Sequence, residues 1–278
     1  MTLKEKRPNY LNYTFIFILI YISFINIFVI KTTPEIIFIQ FAILVLIFRK
    51  IRFREFSKYW IPFIAFFFIY EFLRGFADNF APFYNNVLFW VFGLEKSLFG
   101  EIPTQVLQKK FPVDHIVTQT SIFFYSIFFY FSFLVGFIIW LKNKKLFKKY
   151  AIKFLLLSYI SITFFFLIPT APPWLVNETV DLGIERYLLH NSIFQLFSFL
   201  TIWGYLLYGN TVAALPSLHV AWPVFTCFFL LKHFKNRFLY LLLIIPILIG
   251  FSVVLTAEHF VIDVLFGAIL AVILVFFV

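Results

Sequence analysis

Apolar residues fall in eight long runs, at about 10–30, 34–48, 59–74, 116–141, 151–169, 214–231, 238–255 and 258–278. A helix that crosses a bilayer needs roughly 20 apolar residues, and about 17 suffice where flanking groups reach the interface. The runs therefore predict eight membrane-spanning helices. The second and third are short, and Tyr59, Trp60 and neighbouring Lys and Arg residues extend them through the headgroup layer. The first follows Lys4, Lys6 and Arg7, as a signal peptide would. It is too long for a signal peptide's apolar centre and has no small-residue cleavage site, so it is read as a retained span.

Two segments between runs, 78–115 and 170–213, are too long for simple turns. The first mixes Phe, Trp and Leu with Glu, Lys and Gln, as in the stretch Trp90 to Lys96, which predicts short helices lying in the interface. The second opens on Pro169-Thr170-Ala171-Pro172-Pro173-Trp174 and carries an apolar stretch at 193–208. Its prolines fix a rigid turn, Trp174 reads as an interfacial anchor, and a surface or re-entrant helix is expected beyond.

Composition supports this picture. Of 278 residues, 63% are hydrophobic and only 13% charged, which excludes an ordinary cytosolic domain. Forty-six phenylalanines exceed what one water-facing core holds, and lipid accommodates the surplus. The single Cys227 excludes a disulfide framework and a cysteine metal cluster, and its apolar surroundings predict a small buried side chain. A net charge of +10 invites a nucleic-acid reading, but its distribution argues against that partner. Lys and Arg number three before the first run, five in 49–58, six in 142–153 and three in 232–237, together 17 of the 23. Glu5 and Glu55 are the acidic residues that accompany them. Alternate loops are thus basic, as cytoplasmic loops are. The expected fold is an all-α polytopic membrane helical bundle of about eight spans plus short interfacial helices. Both termini are expected in the cytoplasm, with 75–115, 170–213 and the turn near 256 outside.

Two outward-facing helix starts carry candidate chemistry. In the first, Gly209 to His219, Ser217 follows Pro216 and reads as an N-cap, leaving first-turn N–H groups to seat a phosphate. His219 lies one turn inside that seat, where an imidazole can pass a proton to a leaving oxygen. In the second, Thr256-Ala257-Glu258-His259-Phe260-Val261-Ile262-Asp263, Thr256 is expected to cap the last helix. His259 and Asp263 are four apart on one face, with Asp263 about a turn and a half inside. A carboxylate there fixes the imidazole tautomer and raises the basicity of the far nitrogen, which prepares a nucleophile or base. An unpaired carboxylate in that apolar helix costs roughly 2.5–3.5 kcal/mol, so His259 is its expected partner.

Pro216-Ser217-Leu218-His219, followed by His259 and Asp263 as His-x-x-x-Asp, resembles the type 2 phosphatidic acid phosphatase superfamily. The resemblance implies that His259 attacks phosphorus, His219 protonates the leaving oxygen and Asp263 orients the nucleophile. Tyr70-Glu71-Phe72-Leu73-Arg74-Gly75, Leu98-Phe99-Gly100 with Pro103-Thr104, and the Pro-Thr-Ala-Pro-Pro-Trp turn resemble the branch named for inositol phosphorylceramide synthase. The superfamily's usual phosphate cations are absent: there is no Lys-x6-Arg-Pro, and Val253 stands where an arginine precedes the nucleophile by six. Arg74, ending the third run, is the substitute of choice, because a guanidinium fork matches phosphate oxygens, although Glu71 and Asp78 are near enough in sequence to pair with it. Arg186 ranks behind it, with Asp181 and Glu185 beside it, and Lys153 belongs to the basic side. Ser217, Leu218 and Asn210 complete the expected substrate-binding set.

The expectation is a membrane hairpin over 1–58 and a catalytic membrane domain over 59–278. It would act at the outer face on a lipid phosphate or phosphodiester, with a lipid alcohol or water as acceptor. No metal or other cofactor is expected. Transfer of a phospho-headgroup such as phosphoinositol leads. Hydrolysis of phosphatidic acid or a polyprenyl pyrophosphate is the alternative, and a transporter or an inactive scaffold stands behind both.

Overall fold

The computed structural model describes residues 53–76, 89–190 and 211–278, with Tyr21 and Ile43 as isolated positions. The first two runs, the 193–208 stretch, Asp78 and Asn210 lie outside them. The described chain folds as α1 (Phe53–Gly75), α2 (Trp90–Phe99), α3 (Pro103–Lys110), α4 (Ile116–Lys142), α5 (Lys144–Leu167), α6 (Pro173–Val180), the single turn α7 (Tyr187–His190), α8 (Leu218–His233), a 3-10 segment (Arg237–Leu243), α9 (Ile244–Leu255) and α10 (Val261–Phe277). Four stretches, α1, α4, α5 and Arg237–Leu255, are long and apolar enough to cross a membrane, and α10 is a shorter apolar helix. The protein is a helical membrane bundle.

Helix ends depart from the hydrophobic runs where capping chemistry overrides apolarity. α5 starts at Lys144, because Asn143 accepts the Leu146 N–H through Oδ1 and the lysines that follow are good helix formers. α8 waits until Leu218, past Pro216. Thr256 does not cap the last helix; its hydroxyl donates back to Ser252 O at the end of α9. α10 begins at Val261, so Asp263 is in its first turn, not a turn and a half inside.

α8 packs on α10, α9, α4 and α5, and α5 also packs on α1. Lipid tails are as apolar as these side chains, so association rests on close packing more than on escape from water. Aromatic rings supply much of it. Trp60, Phe63 and Phe67 of α1, Phe133, Phe137 and Trp140 of α4, Phe147, Tyr150 and Phe154 of α5, and Trp222, Phe225 and Phe229 of α8 form one buried cluster. The phenylalanine excess thus builds the core as well as the lipid-facing surface, where Phe53, Phe66, Phe68 and Phe72 are exposed. Cys227 is buried, as expected.

Two glycines allow the closest approaches. A Cβ on Gly136 of α4 would lie 2.9 Å from the Tyr150 ring, and one on Gly267 of α10 would lie 2.5 Å from Ser217 O. The second contact sets α10 against the start of α8, where the Ser217 N–H also donates to Asp263 O at 3.0 Å. Gly267→Ala must push that backbone away. The expected cost is about 1–3 kcal/mol, the usual range for overpacking, read as a lower unfolding temperature in detergent.

The basic clusters gather at one end of the bundle. Lys232 donates to Val275 O at 2.6 Å, and Lys153 donates to the Leu274 and Val275 carbonyls at 3.3 and 3.1 Å. They satisfy the last carbonyls of α10 and complement its dipole. Lys144 pairs with Glu55 at the same end. Lys153 is therefore remote from the start of α10, where the histidine motifs meet.

Candidate active site

His259 owes its place to the way α9 ends. The Glu258 N–H donates to Val253 O at 2.9 Å and the Ala257 N–H to Val254 O at 3.2 Å, the crossed pair of a Schellman turn. Ala257 takes the left-handed position with φ of 66°, where glycine is usual and a Cβ costs about 1–2 kcal/mol. His259 is then the residue before Phe260, the N-cap of α10, and so precedes the helix instead of sharing its face with Asp263. The carboxylate reaches it differently. Phe260 has no side-chain oxygen, and Asp263 Oδ2 takes the Phe260 N–H at 2.8 Å, which holds Oδ2 3.6 Å from His259 Nδ1. That separation exceeds a hydrogen bond but faces the carboxylate to the ring. Both groups are buried.

His219 enters from the first turn of α8. Its Nδ1 lies 2.9 Å from His259 Nε2, and its Nε2 lies 3.2 Å from the Tyr125 hydroxyl. Phe128, one turn along α4 from Tyr125, packs on the same imidazole with ring centroids 4.3 Å apart. One tautomer pattern satisfies the chain of contacts. With Asp263 facing Nδ1 of His259, that nitrogen carries the proton and Nε2 keeps a lone pair. His219 Nδ1–H then donates to His259 Nε2, and the Tyr125 hydroxyl donates to His219 Nε2.

The proline-rich turn ties both histidine loops together. The Thr170 N–H donates to Val212 O at 2.8 Å, the Leu215 N–H to Thr170 Oγ1 at 2.8 Å and the Trp174 N–H to Ala257 O at 3.2 Å. One short segment thereby fixes the approach to His219 and the turn before His259. Trp174 is not a plain interfacial anchor. Its ring carries the Arg186 guanidinium at 4.2 Å, a cation–π contact, beside the histidines.

These elements enclose a cavity of about 370 Å³ whose wall includes His219, His259, Tyr125, Leu218, Arg74 and Arg186. A small polar headgroup fits such a volume. Arg74 binds Glu71 Oε2 through Nη2 at 2.8 Å and Nε at 3.2 Å, the pairing its sequence neighbours suggested. Arg186 grips Glu258 with a two-pronged contact, 2.7 and 3.0 Å, not the acidic residues beside it in sequence. Ser217 stands at the N-cap of α8, yet its side chain makes no capping bond and is buried away from the cavity wall.

The sequence reading placed Arg186 behind Arg74, and both line the cavity; it did not single out Tyr125, Glu258 or Glu95. Glu258 carried a signal, being next to His259. Tyr125 carried none, since one aromatic among many in an apolar helix is unremarkable until the bundle closes. Glu95 and Gln108, in the stretch that predicted interfacial helices, point inward. Gln108 donates to Leu255 O at 2.9 Å and accepts the Glu185 N–H at 2.9 Å, bracing α3 against the end of α9.

A family model described as the PAP2 superfamily matches residues 90–277, from α2 through the end of α10. The chain belongs to that superfamily and is a membrane enzyme of the lipid phosphatase and phosphotransferase class. Among curated proteins it is similar to the phosphoinositol dihydroceramide synthase of Bacteroides thetaiotaomicron, at 28% identity over 240 residues, covering 81% of this chain and 77% of that one. That name agrees with the inositol phosphorylceramide synthase-like motifs. No solved structure matches the chain.

Proposed function

We propose that this protein moves a polar phospho-headgroup, such as phosphoinositol, from one membrane lipid to the hydroxyl of another through a phosphohistidine on His259. The observation that carries this reading is the meeting of two imidazoles, the buried His259 and the half-buried His219, 40 residues apart in sequence, at 2.9 Å between His219 Nδ1 and His259 Nε2. The donor phosphate enters between the rings and takes the place of their mutual hydrogen bond. His259 Nε2 attacks phosphorus, the bond to the lipid oxygen breaks, and His219 Nδ1 gives that oxygen its proton. The acceptor hydroxyl then surrenders its proton to His219 Nδ1 and attacks phosphorus, breaking the N–P bond and restoring His259. Asp263 balances the positive charge that His259 carries as the phosphohistidine forms.

Arg74 and Arg186, both on the cavity wall, stabilise the non-bridging phosphate oxygens in place of the superfamily's usual cations. First-turn N–H groups of α8, beside Leu218, add partial positive charge. The scheme routes no step through a metal or other cofactor. The basic end of the bundle is the cytoplasmic one, so the histidines work at the outer headgroup layer with both termini inside. The relative's name favours an alcohol acceptor over water.

Purified protein supplied with a phosphate-labelled inositol phospholipid should label a second lipid in proportion to an added ceramide-type alcohol. Release of water-soluble phosphate alone, unchanged by the alcohol, would overturn transfer and leave a phosphatase.

A further inference from the structure

The first turn of α10 holds a second acid with no part in that scheme. α2 turns Val91 and Glu95, four residues apart, inward, while Leu94, Leu98 and Phe99 stay exposed. Val91 belongs to an apolar cluster with Ile102, Ala171, Val176, Leu215 and Phe260. Glu95 lies on the same inward stripe at 0% exposure. Its Oε2 accepts the Ile262 N–H at 3.2 Å. Because the N-cap is Phe260, the open donors at the start of α10 are served by two carboxyls: Asp263 from within the helix and Glu95 from outside it. Each leaves one oxygen, Asp263 Oδ1 and Glu95 Oε1, buried with no hydrogen-bond partner among the described residues.

Two full negative charges at one buried helix start repel, and a single proton removes most of the repulsion. Glu95 is the group suited to hold it. Burial pushes its carboxyl up to about 7; the Ile262 N–H opposes the rise, the charge of Asp263 adds to it, and the Val261 N–H again opposes it. Among groups facing Glu95 from the packed elements, Asp263 of α10 is the charged one. In its own helix the neighbouring Lys96 is exposed and lies 6.0 Å from the Phe92 ring centre.

We propose that Glu95 is a positioning residue that acts as a neutral acid: it seats the first turn of α10 and leaves Asp263 as the one charged carboxyl at that helix start. Ionisation of Glu95 puts a second charge beside Asp263, disturbs the turn that aims His259 and slows turnover. The role rests on the proposed phosphotransfer chemistry, but the protonation state is measurable without it.

Infrared difference spectra of the full-length protein in detergent should show a protonated carboxyl band at pH 6 that fades by pH 8 and is missing in Glu95→Gln. Should that variant not fold, Glu95→Asp assigns the band by shifting it. In activity, the wild-type rate should fall by up to roughly tenfold between pH 6 and pH 8, the full drop being that of one ionisation near 7 with an inactive ionised form. Glu95→Gln, which keeps an acceptor for the Ile262 N–H and cannot ionise, should stay within about threefold of the wild type at pH 6 and lose that decline. A carboxyl already ionised at pH 6 would overturn the proposal, as would a glutamine variant that keeps the wild-type pH profile. Absence of phosphotransfer alongside the expected infrared band would instead count against the proposed reaction.

Discussion

Replacing His259 by alanine is expected to abolish turnover, by roughly 10⁴-fold or more, and with it all labelling of the protein by a phosphate-labelled donor lipid. Alanine takes away the nitrogen that bonds to phosphorus, and no other imidazole among the described residues lies at that position. His219→Ala differs in kind. It leaves the nucleophile and removes the proton donor 2.9 Å away, so loss of the lipid alkoxide becomes slow but not impossible. The expected loss is about 10²–10⁴-fold, the span of general acid–base effects. Whatever phosphoenzyme forms should also be slow to discharge, because the same nitrogen must take the acceptor's proton. An acid-labile, base-stable label should therefore be trapped on His219→Ala and not on His259→Ala. Labelling of both variants, or of His259→Ala alone, would place the nucleophile elsewhere. The aromatic core from Trp60 to Phe229 that holds the bundle is built from other residues, so both variants should keep wild-type elution in detergent.

How much of this could be read in advance follows from which forces act locally. The long apolar helices α1, α4 and α5 were legible because bilayer insertion is decided by the summed apolarity of about 20 residues. The alternation of Lys and Arg was legible because it is a property of loops. Helix ends were not. Thr256 looked like a cap by residue type, yet the Schellman turn at Ala257 used it to finish α9 and left Phe260 as N-cap. The pairing of His259 with Asp263 was anticipated from their spacing, but the route was not: it runs through the Phe260 N–H, not a shared helix face. Arg186 shows the limit most clearly. Its acidic sequence neighbours suggested it was occupied locally, whereas its partner is Glu258, 72 residues away, and its platform is Trp174. Glu95 fell in a stretch that predicted a surface helix, and charge alone does not say which face a ten-residue helix buries.

Asp263→Asn is expected to lower turnover by about 10²–10⁴-fold while leaving the unfolding temperature nearly unchanged. One oxygen does both jobs here, since Oδ2 accepts the Phe260 N–H at 2.8 Å and faces His259 Nδ1 at 3.6 Å. In the variant the amide oxygen must occupy the Oδ2 position, because its NH₂ cannot accept the Phe260 N–H. The start of α10 then keeps its cap, and His259 still meets an oxygen. What disappears is the negative charge, and with it the stabilisation of the cationic ring as phosphorus binds Nε2. Buried as the pair is, water does little to replace that charge. Asp263→Ala removes cap and charge together, and should add a stability loss of about 0.5–2 kcal/mol to the catalytic one. If the two variants lost activity equally and both melted early, Asp263 would serve the helix and not the histidine. A glutamine at Glu95 combined with Asp263→Asn gives the complementary measurement: with neither acid able to ionise, the start of α10 carries no side-chain charge, and the decline in rate between pH 6 and pH 8 should vanish from the residual activity.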